Sequence, residues 1–363
     1  MKNKNGFDKS EKTITIKPAF LVLLLATVAL IVALTIGLVV VMCLDDSGRE
    51  EPRQTQEDDE GKNPSKPVGS NSKALFPTVE SRSSYKISIS GSVVKLTDEI
   101  GGNNTVLVKV GADSLTSIVE KNADAKMYPA SMTKVMTLLV ACERVTDLEE
   151  KLTVTQEIAD FAAANDGSGA GLKVGESYTV EDLLYLIAYQ SDTIASILIA
   201  EHIVGSEAAF VELMNAKVAE LGLTGTRFDN CTGLYSENNY STCKDIASIM
   251  AYALDNEMAY KCLTSYSGRP MVVGGTDCTF YSGWYSGRGN RLGFADNPRL
   301  SSTTVIAGKT GYVDEAGFTF VTVAKDKSGG LYINVTVGQP KGQMYTAEKF
   351  MKDVKMIYNT YAK

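Results

Sequence analysis

Ser131 and Lys134 stand three residues apart in Tyr-Pro-Ala-Ser-Met-Thr-Lys, a spacing that puts both on one helix face. A deprotonated lysine placed there can draw the proton from the serine and make its oxygen a nucleophile. The chain needs some such device, because His202 is its single histidine. A Ser-His-Asp arrangement would depend on that one residue, and multi-histidine metal sites are excluded.

Ser-x-x-Lys alone carries little weight, since it recurs at Ser70–Lys73, Ser83–Lys86, Ser92–Lys95 and Ser241–Lys244. Context separates Ser131 from these. Pro129 just ahead of it suits a helix start, and Met132, Val135, Met136, Leu139 and Val140 follow with the spacing of a buried helix. Amides at a helix N-terminus favour developing negative charge beside Ser131.

Two further groupings could share a site with it. Lys309-Thr310-Gly311 closes a strand-like run. There, Lys309 and Thr310 offer a charge and a hydroxyl to a substrate carboxylate. Gly311 lets the backbone come close, and the strand edge can pair with an extended peptide. Gln190-Ser191-Asp192-Thr193 opens a helix. Ser191 could relay a proton between Lys134 and a leaving group, or the group could serve as an N-cap.

The elements that must position these residues come from both ends of the region after residue 104. Thr105–Val110 and Leu115–Glu120 read as strands around a Gly111–Ser114 turn. A mostly helical stretch follows, with helices opening at Val180, at Ile194–Val204, at Glu207–Leu221 and at Asp245–Leu254. The period then switches to two over Thr304–Ala307, Phe318–Ala324 and Leu331–Val337, and Ala347–Tyr358 closes as an amphipathic helix. The expectation is an α+β fold. Its five-stranded antiparallel sheet is built from both ends, flanked by helices, with a mostly helical subdomain. His202 falls on a packing helix. Tyr85–Ser90 and Val93–Leu96 are short strand-like runs of open role.

The N-terminus sets the expected location. Residues 19–44 contain no charged side chain, enough length to span a bilayer as one helix. Lys2, Lys4, Lys9, Lys12 and Lys17 outnumber Asp8 and Glu11 before it, and Asp45 and Asp46 follow, so residues 1–18 are expected in the cytoplasm. A cleaved signal peptide is the rival reading, but Val41-Met42-Cys43 makes neither an Ala-x-Ala nor a good lipoprotein cleavage site. Residues 45–75, acidic and nearly free of apolar side chains, read as a disordered extracytoplasmic linker reaching on the order of 30 Å. Residues 76–104 hold the extra strands, and 105–363 the catalytic domain. The net charge of −7 argues against nucleic-acid binding. Six cysteines without a Cys-x-x-Cys argue against structural zinc. Cys142 reads as a buried thiol, and Cys262–Cys278 or Cys231–Cys243 could pair outside the cell.

In that order, Ser-x-x-Lys, the Ser-Asp-Thr triplet and Lys-Thr-Gly resemble the penicillin-recognising serine enzymes. Within them the chain is similar to the D-alanyl-D-alanine carboxypeptidases, the low-molecular-mass penicillin-binding proteins. The likeness runs from about Thr105 to Tyr361. It includes Glu120 to Asp124 leading into Tyr128–Lys134, Tyr178–Leu184, Leu213–Lys217, Thr232-Gly233-Leu234 and Lys309–Tyr312 leading to Ala316-Gly317-Phe318. The resemblance implies a β-lactamase/transpeptidase-like fold and no cofactor. The implied substrates are peptidoglycan stem peptides ending in D-Ala-D-Ala, with β-lactam antibiotics as acylating inhibitors. Ser131 would attack, Lys134 act as base and Ser191 relay the proton. Thr193, Lys309, Thr310 and Gly311 would bind substrate, and the amides of Ser131 and Tyr312 would form the oxyanion hole. A serine β-lactamase shares the fold but needs a deacylating base that no segment here resembles. A muropeptide-binding protein with little turnover is the alternative of another class. Two positions depart from the family: Thr193 stands where Asn is usual, lacking the amide's reach, and Ile194 where Asp is usual.

Overall fold

The apolar runs from the two ends of the globular region meet in one sheet. The structure, a computed structural model, describes residues 86–88, 92–286, 293–294, 298–343 and 345–363. The expected cytoplasmic tail, membrane helix and linker lie outside these residues, as does Cys43. Among the described residues no single helix is long and apolar enough to cross a membrane.

In chain order the strands are β1 (Lys86–Ser88), β2 (Val94–Lys95), β3 (Asn104–Val110), β4 (Ser114–Lys121), β5 (Lys151–Thr153), β6 (Ser177–Thr179), β7 (Arg269–Val273), β8 (Thr276–Phe280), β9 (Thr303–Val313), β10 (Gly317–Asp326) and β11 (Leu331–Val337). The α-helices are α1 (Thr133–Cys142), α2 (Gln156–Ala164), α3 (Val180–Tyr189), α4 (Thr193–Val204), α5 (Glu207–Glu220), α6 (Cys243–Asp255), α7 (Glu257–Thr264), the short α8 (Gly283–Ser286) and α9 (Ala347–Tyr361). The main sheet has seven strands in the order β1-β4-β3-β11-β10-β9, with β2 also on β4. The five-stranded antiparallel expectation is therefore corrected. The five long strands do run antiparallel, but β1 and β2 lie parallel to β4 and make the sheet mixed.

Both faces of this sheet are covered, so its strands read as nearly continuous buried runs. Val106, Val108, Val321, Val323, Ile333 and Val335 face the larger core shared with α1, α3, α4 and α6. Leu107, Val119, Val305, Phe320 and Tyr332 alternate to the other side against Phe350, Val354, Ile357 and Tyr358 of α9, the two-residue period of a strand in physical form. Every residue from Thr133 to Ala141 of α1 is buried. That helix is the central post between sheet and helical region, and it carries Lys134.

Several elements escaped the sequence reading for identifiable reasons. At three residues each, β5 and β6 are too short to show a period. Asn256 ends α6 and at once caps α7, accepting from the amides of Met258 and Ala259, each at 3.0 Å. The β7–β8 hairpin turns through Gly274 and Gly275 at φ 61° and 70°. That Gly-Gly pair between two strand-like runs was a legible turn signal.

Parallel pairing with Ser114–Thr116 of β4 holds β1, whereas β2 is also tied in by one carboxylate. Glu120 on β4 is 2% exposed and pairs with Lys95 of β2 and, at 3.1 Å, with Lys244 of α6; Ser117 adds a 2.7 Å hydrogen bond. Burial alone would raise its pKa, but the bonds from Lys95, Ser117 and Lys244 prevail and bring it to about 2. A depressed carboxylate stabilises the fold above its unfolded value, and that contribution is lost as pH falls through the folded one. Glu120→Gln should cost on the order of 3 kcal/mol at pH 7 in urea unfolding. The deficit relative to the parent chain should shrink between about pH 4.5 and pH 2. A deficit that is constant across this range would contradict the assignment.

Candidate active site

Three segments converge around Ser131. The nucleophile candidate lies in a one-turn 3₁₀ helix, Ala130–Met132, that runs directly into α1. This differs slightly from the expected α-helix start, yet Ser131 and Lys134 remain one turn apart. Ala130 holds φ at 50°, a strained value for a residue with a side chain. The strained turn is clamped from two sides. The hydroxyl of Thr319 on β10 donates to the Pro129 carbonyl at 3.2 Å. Gly233, at φ 76°, passes so close that a Cβ there would lie 2.1 Å from the Ala130 carbonyl oxygen. Only glycine satisfies both demands at 233.

Lys134 is 1% exposed. Its ammonium donates to the Thr232 carbonyl, and burial lowers its pKa to about 8 against the opposing pull of Cys231, Asp192 and Glu207. The 230–234 loop that supplies this acceptor is itself fixed. Asn230 Oδ1 accepts from the Gly233 amide at 2.7 Å and the Thr232 hydroxyl at 3.1 Å. The Cys231 carbonyl accepts from Thr137 at 2.7 Å, and the Cys231 amide donates to Glu207 at 3.0 Å. Asn230 and Glu207 were not singled out from sequence, although the Thr232-Gly233-Leu234 run beside them was.

Lys309, also 1% exposed, lies on β9 opposite Val321. Its ammonium donates to Ser191 Oγ at 2.9 Å and to the Thr310 carbonyl at 2.7 Å. Burial, then the neighbouring Lys134, push its pKa well below the ordinary lysine value. Gly311 brings β9 against the nucleophile: a Cβ built there would stand 2.8 Å from the Ser131 amide nitrogen and 3.1 Å from Ala130 Cβ. The Ser131 amide thus lies against β9 at Gly311, the residue before Tyr312. The Tyr312 ring itself is exposed and packs on Phe318 at 5.3 Å.

Ser191 holds φ at 56°, and the helix cap is supplied not by it but by Asp192. The Asp192 carboxylate accepts from Ala195 N at 2.8 Å, and from Ala170 N at 2.7 Å in the 165–171 loop. Freed from capping, the Ser191 hydroxyl faces Lys309. Thr193 is 1% exposed. Its hydroxyl would stand 2.9 Å from a Cβ at Gly167, so the glycine-containing 165–171 loop lies directly on it. Ser131, Lys134, Ser191, Lys309, Thr310 and Gly311 therefore converge, while Thr193 lies against the 165–171 loop. His202 stays apart, 3.6 Å from Glu150 on the helical side. Among the described residues no group of His, Cys, Asp or Glu could hold a metal. The five described cysteines are free, against the disulfide pairs considered from sequence. Cys142 is half-buried, and burial pushes its thiol up to about 12.

The family profile described as D-alanyl-D-alanine carboxypeptidase matches residues 94–341. The carboxypeptidase DacF of Bacillus subtilis is 34% identical over 233 residues, covering 64% of this chain and 56% of that protein. DacA of Escherichia coli is 30% identical over 241 residues, with 64% and 56% covered. In three dimensions the chain resembles the Streptomyces K15 DD-transpeptidase, with a TM-score of 0.61 at 25% identity, covering 74% of this chain and 98% of that one. The chain spans about half the length of the curated relatives it matches. It belongs to the D-alanyl-D-alanine carboxypeptidase family.

The buried amine makes a directional forecast. If neutral Lys134 is the base, acylation of Ser131 by a β-lactam should rise with pH and level off above about 8. Lys134→Arg, always charged, should be slower by roughly 100-fold or more. Stopped-flow acylation from pH 5.5 to 9.5 reads both; a flat profile for the parent chain would contradict this role.

Proposed function

We propose that this family member is a membrane-anchored serine D,D-carboxypeptidase that removes the terminal D-alanine from peptidoglycan stem pentapeptides. The observation that carries the reading is the convergence of two desolvated lysines on two serines. Lys134 lies one turn from Ser131, and Lys309 donates to Ser191 at 2.9 Å.

In this reading neutral Lys134 accepts the Ser131 proton as Oγ attacks the carbonyl between the two D-alanines. The amides of Ser131 and Tyr312 hold the oxyanion. Lys309 and Thr310 bind the terminal carboxylate, and the bound anion offsets the cost of a charged, buried Lys309. Ser191, within reach of Lys309, passes the proton to the departing amine of D-alanine. Water then releases the shortened peptide from Ser131. The same nucleophile opens β-lactams, leaving an acyl-enzyme. Residues 19–44 would hold the enzyme in the cell membrane as a single span, with the N-terminus cytoplasmic and the catalytic region outside.

One feature favours slow turnover. Thr193 replaces the usual Asn, and its hydroxyl lies against the 165–171 loop, so the triplet brings no side-chain amide to substrate. A muropeptide-binding protein with little hydrolysis is the reading this would support.

The test is release of D-alanine from a pentapeptide ending in D-Ala-D-Ala by the full chain in detergent. Release by the parent chain and its loss, by about a thousandfold or more, in Ser131→Ala is the expected result. Tight pentapeptide binding without release would favour the binding protein instead. Rapid β-lactam hydrolysis without D-alanine release would indicate a β-lactamase.

A further inference from the structure

Strand β9 stands at the end of the main sheet, and its outer edge is where an extended substrate can pair. One segment, residues 281–284, crosses that edge. On the helical side the Tyr281 carbonyl accepts from Gln190 Nε2 at 2.9 Å, which pins the segment beside the Ser191 turn. On the α9 side Trp284 lies in the core with Phe320 and Phe350, and a Cβ at Gly308 of β9 would stand 3.0 Å from Trp284 Cβ. Gly283 lies between these two points. A Cβ there would be 3.3 Å from the Tyr189 carbonyl oxygen and 3.5 Å from Thr310 Oγ1. Apart from its own chain neighbours, no other atom of the described residues comes within 4 Å of that position. The Gly283 backbone has no positive φ, so it is the missing side chain that matters here.

The crossing is firmly held. Ser282 and Trp284 are each 1% exposed. The Ser282 carbonyl accepts from the amides of Tyr285 and Ser286 at 3.1 and 3.0 Å, and Trp284 Nε1 donates to the Leu263 carbonyl at 3.1 Å. A close-packed indole so anchored does not yield to a passing peptide. We propose that residues 281–284 form the end wall of the cleft and that Gly283 is a specificity-determining residue. Its bare backbone keeps room beside Thr310 for one terminal carboxylate and none for a longer chain. This rests on the carboxypeptidase reading above and deepens it, naming the substrate class as peptides that end at the residue after the scissile bond. A strand laid on β9 with its carboxylate at Lys309 and Thr310 meets the wall immediately beyond. Refusal of longer peptides is then steric, separate from the charge of Lys309. A peptide one residue longer still carries a carboxylate, but must place a peptide group where the wall stands.

The experiment gives the full chain in detergent two peptides, one ending in D-Ala-D-Ala and the same peptide extended by glycine. Release of D-alanine from the first and of D-alanyl-glycine from the second is followed by chromatography. The expected kcat/KM for the extended peptide is lower by about 100-fold or more. Gly283→Ala puts a methyl group into the carboxylate space and should raise KM for the D-Ala-D-Ala peptide by about tenfold, with a melting temperature close to that of the parent chain. Comparable release from both peptides would overturn the proposal, and so would an unchanged KM in Gly283→Ala. Should that variant not fold, the comparison of the two peptides on the parent chain still decides. A parent chain that releases product from neither peptide would overturn the carboxypeptidase reading itself. Binding of the two peptides to Ser131→Ala then tests the wall alone: markedly weaker binding of the extended peptide supports it, and equal binding overturns it.

Discussion

Stripping water from two lysine amines is the constraint on which this site depends. Lys134 and Lys309 are each 1% exposed, and an ammonium so placed is costly unless it is hydrogen-bonded, paired or discharged. The protein uses the first and the last. The Thr232 carbonyl receives Lys134, Ser191 and the Thr310 carbonyl receive Lys309, and burial lowers the pKa of both amines. Burial also makes Lys134 a workable base near neutral pH, a condition an exposed lysine does not meet.

The fold then serves to hold three segments rigidly around those amines. The central helix α1 is buried along its length, so Lys134 has no solvated alternative. Strand β9 brings Lys309 and Gly311 in from the sheet, while the α3–α4 turn brings Ser191. Ala130, beside Ser131, and Ser191, facing Lys309, both sit at positive φ. Neighbours hold each against that strain: Thr319 and Gly233 the first, the Asp192 cap the second.

Much of this was legible in the chain because it depends on local spacing. Ser131 with Lys134, the two-residue period of β9 to β11 and the Lys309–Gly311 run are short-range patterns. The reading stopped where the signal was long-range. Nothing local to Glu120 reports that Lys95 and Lys244 will meet it, and nothing in the three residues of β1 or the two of β2 reports that they will pair parallel to β4. Asn230 and Glu207 matter through the carbonyl they position, which leaves no residue-type signature. Asp192 was visible as a capping type, but that it and not Ser191 caps α4 is settled by the backbone at Ser191. The tight fit of Gly167 and Gly169 against Thr193 and Asp192 likewise appears only once the chain is folded.

The proposed chemistry depends on a covalent bond to one oxygen, Ser131 Oγ. Intact-mass measurement of the full chain after incubation with a β-lactam, followed by peptide mapping, addresses it most directly. Acylation of Ser131 gives one adduct of the intact drug mass per chain, located on the peptide that contains Ser131 and absent in Ser131→Ala. An unmodified chain under saturating drug, or an adduct on any other residue that persists in Ser131→Ala, would contradict it.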